Sequence, residues 1–147
     1  MKHSHAKTIL GAVLLLGTSA ILAAPARAAD GGFLTTHVLD TYSGLPAAGV
    51  TIDFFKKEGD SYKLVATTTT NADGRTDKPV MPKDVFATGS YQLVFHVADY
   101  YKKLGVKLPD PNFLDNVPIQ FSLADGKAHY HVPLLMTPWS YSTYRGS

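Results

Sequence analysis

No cysteine occurs in the 147 residues. Disulfides are therefore excluded, together with paired-cysteine metal centres and a lipid anchor on cysteine, and stability has to come from packing or association. Also missing are a G-x-S-x-G elbow, a P-loop, a dinucleotide fingerprint and an H-E-x-x-H helix, so the common motifs of hydrolase, nucleotide and zinc-protease chemistry give no lead. Long apolar runs are scarce as well. The only one, Ile9 to Leu22, falls short of the roughly 20 residues needed to span a bilayer as a helix.

That run follows Lys2 and Lys7 and precedes "APARAAD", whose small residues have the spacing a signal peptidase reads. Residues 1–29 are expected to be a cleaved secretory signal, with cleavage after Ala28 or Ala29, and residues 30–147 a single domain. Export without disulfides fits a bacterial periplasm. Loss of Lys2, Lys7 and Arg27 takes three positive charges from a formal net charge of +2. The remaining domain is slightly negative, which removes any electrostatic case for nucleic acid or an anionic membrane as partner.

What the domain does contain is short runs of β-branched and aromatic residues between turn residues, with almost no 3.6-residue periodicity. Strands are expected at Phe33 to Leu39, Val50 to Phe55, Tyr62 to Thr69, Tyr91 to Val97, Ile119 to Leu123, His129 to Leu135 and Trp139 to Tyr144, with a short one after Gly74. "ADYYKKLG" reads as a short helix stopped by Gly105, and "KLPDPNFLDNVP" as a surface loop. The fold class is all-β, a sandwich.

Few residues of this domain carry evident chemistry. In "HYHVPLL" the two-residue period puts His129 and His131 on one face and Tyr130 and Val132 on the other. His37 in "LTTHVLD" faces away from Val38. Three uses compete for these histidines. One is a metal site, with the His129/His131 pair and His37 as three ligands and an open position for water, although no carboxylate stands at ligand spacing beside the pair. The histidines are equally compatible with ordinary half-buried strand positions. The sharper use is acid–base chemistry on water, because imidazole titrates near neutral pH. His96, in "LVFHVAD", has apolar neighbours and no polar companion in the sequence, so a packing role is expected there. Arg75 closes the turn "NADGR" and matters only if that turn aims its planar fork at an anion or a polarised carbonyl.

Three stretches together, "LTTHVLDTYSGLPAAGV", "NADGR" and "HYHVPLLMTPWSYSTYRGS", resemble the 5-hydroxyisourate hydrolases, the transthyretin-like proteins of purine catabolism. The resemblance covers essentially the whole of residues 30–147, and the ending "YRGS" is its most specific part. It implies a transthyretin-like sandwich of two four-stranded sheets with one short helix. It further implies a homotetramer, a dimer of dimers with sites in the channel between dimers, and hydrolysis of 5-hydroxyisourate without metal or cofactor. The residues it implicates are His37, Arg75 and His131 in catalysis, and His37, Arg75, Tyr144 and Ser147 in substrate binding. A transthyretin-type carrier of a small hydrophobic ligand is the rival, distinguished by lacking the His/Arg/His set and the "YRGS" ending. Phe113 to Pro118 departs from the family's aromatic-proline-acid stretch, away from the matched positions.

Overall fold

The computed structural model describes residues 31–146. The expected leader, residues 1–29, and the terminal Ser147 lie outside the described residues. Strict alternation builds the strands of one sheet: in β4 (Thr51–Glu58) Ile52 and Phe54 are buried, and in β6 (Gly89–His96) Tyr91, Leu93 and Phe95 are buried. With β5 (Ser61–Thr69) and β7 (Asn116–Leu123) they form an antiparallel sheet in the order β5-β4-β6-β7.

The facing sheet is assembled from the two ends of the domain. β1 (Phe33–Thr35) runs parallel to β8 (His129–His131), and β2 (Val38–Asp40) runs parallel to β9 (Leu134–Met136) in the same register. The Val132 N–H donates to the Thr35 carbonyl at 3.0 Å and the Leu134 N–H to the His37 carbonyl at 2.8 Å, so the two parallel pairs make one continuous ladder. β10 (Tyr141–Thr143) closes one edge against β9, and the two-residue β3 (Leu45–Pro46) pairs with β2 on the other. Leu34, Val38, Leu134 and Met136 of this sheet pack against Ile52, Phe54, Leu93 and Phe95 of the first.

The helix α1 (Val97–Lys103) follows β6, as expected, and buries Val97, Ala98, Tyr100 and Tyr101. Its end is a Schellman turn: the Gly105 N–H donates to Lys102 and the Val106 N–H to Tyr101, both at 3.0 Å, around Gly105 at φ 75°. Tyr101 ties the helix to the second sheet, its hydroxyl donating to Asp40 Oδ1 at 2.6 Å. Asp40 is buried and is satisfied by hydroxyls and amides: Ser43 Oγ donates to Oδ2 at 2.7 Å and the Tyr42 N–H to Oδ1 at 3.0 Å.

The sequence-based strands differ from these in several respects: β3 falls where no strand is expected, and β7 begins at Asn116, inside the stretch expected to be loop, rather than at Ile119. Phe33 to Leu39 and His129 to Leu135 each appear as two short strands, with breaks at Thr36–His37 and Val132–Pro133. Pro133 has no N–H to give, and the Thr36 hydroxyl donates to the Val132 carbonyl at 2.7 Å beside it. After Gly74 no strand forms. Only isolated bridges, His37 to Arg75 and Leu34 to Met81, flank the β1–β2 edge. Pro79 and Pro82 remove donors from that segment and prevent a continuous ladder.

Candidate active site

The outward face of the second sheet gathers the histidines. Along β1 and into β2, Leu34, Thr36 and Val38 are buried while Phe33, Thr35 and His37 are half-buried on the other side. Parallel register sets Thr35 beside His131 and Phe33 beside His129. As the two-residue period requires, Tyr130 and Val132 are buried in the core and both histidines face outward. Thr35 Oγ1 stands 2.8 Å from His131 Nδ1 and 2.8 Å from His129 Nε2, joining the two rings through one hydroxyl. The His129 ring stacks on Phe33 at 4.1 Å.

Arg75 reaches the same face because its turn is locked. The Asn71 carboxamide oxygen accepts the N–H groups of Asp73 at 3.0 Å and Arg75 at 3.2 Å, and the Asn71 amide nitrogen donates to Asp77 at 2.9 Å. Gly74, at φ 72°, lets the turn lie against the sheet. Any side chain there would collide with the Val38 carbonyl oxygen and press on the His37 ring. The Gly74 carbonyl accepts the Val38 N–H at 2.8 Å, and Arg75 forms its bridge with His37.

These surroundings favour the neutral form of both imidazoles. Burial, and next the Arg75 guanidinium, push His37 below the ordinary imidazole range, against an opposing pull from the Asp73 backbone and carboxylate. Burial also lowers His131, aided by Arg75, His129 and His37. Among the described residues His37 Nε2 is buried without a hydrogen-bond partner, an uncommon state for a polar atom. Among the described residues, no group of three or more His, Asp or Glu side chains is arranged to hold a metal ion.

The tail lies over His131. The Gly146 N–H donates to the His131 carbonyl at 2.8 Å, and this bridge keeps the register of the β9–β10 pair, placing Tyr144 opposite Pro133. Beyond β10, Tyr144 and Arg145 line a concavity of about 270 Å³ together with Ile119, Phe121, Tyr130 and Val132, the Arg145 guanidinium 4.8 Å from the Tyr130 ring centre. Tyr144 is exposed, and no hydrogen bond joins it to either imidazole among the described residues. Ser147 lies outside the described residues.

His37, Arg75 and His131 thus meet on one face, Tyr144 is not brought into contact with them, and Thr35 and His129 are additions that the sequence reading did not assign. Thr35 is detectable only through the pairing of β1 with β8, since 96 residues separate it from His131. The expectation that His96 lacks a polar companion is wrong. Its Nε2 lies 2.8 Å from Asp53 Oδ2, which the β4–β6 pairing brings alongside from 43 residues away. The concavity of about 510 Å³ beside Lys102, Asp110 and Asp115 contains none of these site residues.

The HIUase/Transthyretin family model matches residues 34–146. 5-Hydroxyisourate hydrolase 2 of Rhizobium meliloti (strain 1021) is 59% identical over 79% of this chain and 97% of its own length. The solved structure of Klebsiella pneumoniae 5-hydroxyisourate hydrolase superposes with a TM-score of 0.62 at 32% identity, over 79% of this chain and 94% of that one. Sea bream transthyretin in complex with thyroxine superposes with a TM-score of 0.69 at 27% identity, over 77% of this chain and 93% of that one. Its two facing sheets, its helix after β6 and a family match over nearly every described residue agree: the chain belongs to the HIUase/Transthyretin family.

Proposed function

We propose that the protein is a 5-hydroxyisourate hydrolase, opening the six-membered ring by attack of water at a ring carbonyl and giving 2-oxo-4-hydroxy-4-carboxy-5-ureidoimidazoline. The observation that carries this reading is the meeting of two imidazoles and a guanidinium, drawn from three distant segments, on one half-buried face. The relatedness to named hydrolases supports it. A carrier of hydrophobic ligands has no need of this set.

The chemistry follows from the groups present. Water adds its oxygen to the carbonyl carbon as His37 or His131 takes its proton, which a neutral imidazole with a free lone pair can do. The carbonyl oxygen becomes an oxyanion, and Arg75 lies where it can stabilise that charge and hold the anionic ring. Collapse breaks the carbon–nitrogen bond, and the imidazole that took the proton from water gives it to the departing nitrogen, while the other imidazole hydrogen-bonds the substrate. Tyr144 and Ser147 are assigned to substrate binding on the likeness of the chain's ending to the hydrolases. No step calls for a metal or cofactor. The test is incubation of the purified protein with freshly generated 5-hydroxyisourate, its decay followed against the spontaneous rate. Decay no faster than the spontaneous reaction would refute the assignment.

Hydrolysis on a half-buried sheet face gains from a cover that excludes bulk water. A homotetramer, a dimer of dimers with this face lining the channel between dimers, supplies one, and sizing with light scattering should return four subunits. An active monomer would overturn that assembly. We assign residues 1–29 to a cleaved export signal and the mature protein to the periplasm, a reading supported by the family match beginning only at Leu34. N-terminal sequencing of protein from the periplasmic fraction tests it.

A further inference from the structure

Behind His131 the structure has a feature that the hydrolytic scheme leaves unused. A single hydroxyl, Thr35 Oγ1, lies 2.8 Å from a ring nitrogen of each of two histidines. A hydroxyl has one proton. It can donate to only one of these nitrogens and must accept from the other, so the tautomers of His129 and His131 are coupled through it. We propose that Thr35 and His129 are positioning residues for the hydrolysis, forming with His131 a proton relay that sets the tautomer of His131 and moves positive charge away from the reacting centre.

The relay balances at each step. In the resting state His131 carries its proton on Nδ1 and donates to Thr35, whose hydroxyl donates to His129 Nε2. His131 Nε2 is then a free lone pair. As that nitrogen takes the proton of the attacking water and the new carbon–oxygen bond forms, the Nδ1 proton passes to Thr35 and the Thr35 proton to His129. His131 ends neutral and protonated on Nε2, and His129 is the cation. When the ring carbon–nitrogen bond breaks, His131 gives its Nε2 proton to the departing nitrogen, and the relay runs back from His129. No proton or electron is left over.

The surroundings favour this direction. A cation on His131 would stand near Arg75 and beside a second imidazole, both of which already oppose its protonation. On His129 the charge sits two residues farther along β8, over the face of Phe33 at 4.1 Å, an arrangement that aromatic rings favour for cations. Lys83 lies 5.5 Å from the same Phe33 ring and opposes the charge through it. Parallel pairing of β1 with β8 fixes the three side chains in line.

The proposal rests on the hydrolase reading for its kinetics but not for its second readout. Thr35→Val keeps the shape and removes the hydroxyl. It should lower kcat on the order of 10- to 100-fold, within the range of an acid–base contribution, with KM little changed. Thr35→Ser restores the hydroxyl and should recover most of the rate. His129→Gln should lower kcat as Thr35→Val does, whereas a hydroxyl acting only in packing would leave His129 without effect. Independently of activity, nitrogen-15 NMR of the imidazoles near neutral pH should show hydrogen-bonded ring nitrogens in His129 and His131, both altered by Thr35→Val and retained in Thr35→Ser. Wild-type turnover in Thr35→Val, or a serine variant as slow as the valine one with an unchanged melt, would overturn the relay. If even the wild type fails to hydrolyse 5-hydroxyisourate, the hydrolase reading falls, and the NMR comparison still decides: imidazole signals unmoved by Thr35→Val would overturn the coupled triad.

Discussion

Replacing Gly146 with alanine adds one carbon at a place where the fold leaves none. An ideal Cβ on Gly146 would lie 2.7 Å from His131 Cδ2, 3.1 Å from its Cβ and 3.2 Å from its Cγ. Carbon atoms rest at about 3.5–4.0 Å, so the closest contact must open by roughly 1 Å. Two movements can provide it. Either the tail lifts, breaking the 2.8 Å bond from the Gly146 N–H to the His131 carbonyl and carrying Tyr144 with it, or the ring swings and leaves Thr35. Both displace a group assigned to the reaction, and a misplacement of about 1 Å can cost on the order of 100-fold in rate. Stability should respond little, because the contact lies at the chain end, where the backbone yields more readily than in a close-packed core. Gly146→Ala is therefore expected to lose on the order of 100-fold in kcat/KM with a nearly unchanged melting temperature. The matched control is Gly126→Ala, whose Cβ would meet only Thr88 Cγ2 at 3.9 Å and should leave the rate as it is. Equal activity in the Gly146 variant and the control would refute the argument that tail and ring share one fitted space.

Four further outcomes are expected. His37→Ala and His131→Ala should each lower turnover by on the order of 100-fold or more while assembly and melting stay intact, since each removes an acid or base; near wild-type rates in both would sink their roles. Because burial and Arg75 hold both imidazoles below 6.5, kcat/KM should keep its plateau through neutral pH and fall only below that value. Arg75→Gln, by removing the neighbouring cation, should move both NMR-titrated imidazoles upward, part of the way, and a downward or absent shift would contradict the cause given. Asp40→Asn should destabilise the fold by about 2 kcal/mol at pH 7, the scale of hydrogen bonds to a buried charge. Since the Tyr101 and Ser43 hydroxyls hold its folded pKa below 3.8 despite burial, that contribution is present above 3.8 and lost as pH falls through the folded value, so urea melts of variant and wild type should converge in acid.

The fold was legible wherever the chain pattern alone decides it. Alternation at Ile52 and Phe54 or at Tyr91, Leu93 and Phe95 marks strands whose one face must be buried, and Gly105 after Lys102 and Lys103 marks the helix end. What the pattern does not contain is pairing. The strand expected after Gly74 failed because Pro79 and Pro82 withhold donors, and β3 at Leu45–Pro46 has too few residues to carry a period at all.

The same limit divides the site. His37, Arg75 and His131 were found through their resemblance to motifs, and the reason they meet lies in contacts the linear order hides: the Asn71 carboxamide that locks the turn, the bridge from His37 to Arg75, and the β1–β8 register. Thr35 shows the point most sharply. In "LTTHVLD" it is one of two threonines with nothing to tell them apart. In the fold Thr36 turns inward and gives its hydroxyl to the Val132 carbonyl, while Thr35 turns outward between two imidazoles. One residue of strand period separates a structural hydroxyl from one placed to move a proton. A one-residue slip of β1 against β8 would exchange their faces, so the buried packing of Leu34 and Val38 is also what keeps Thr35 at the site.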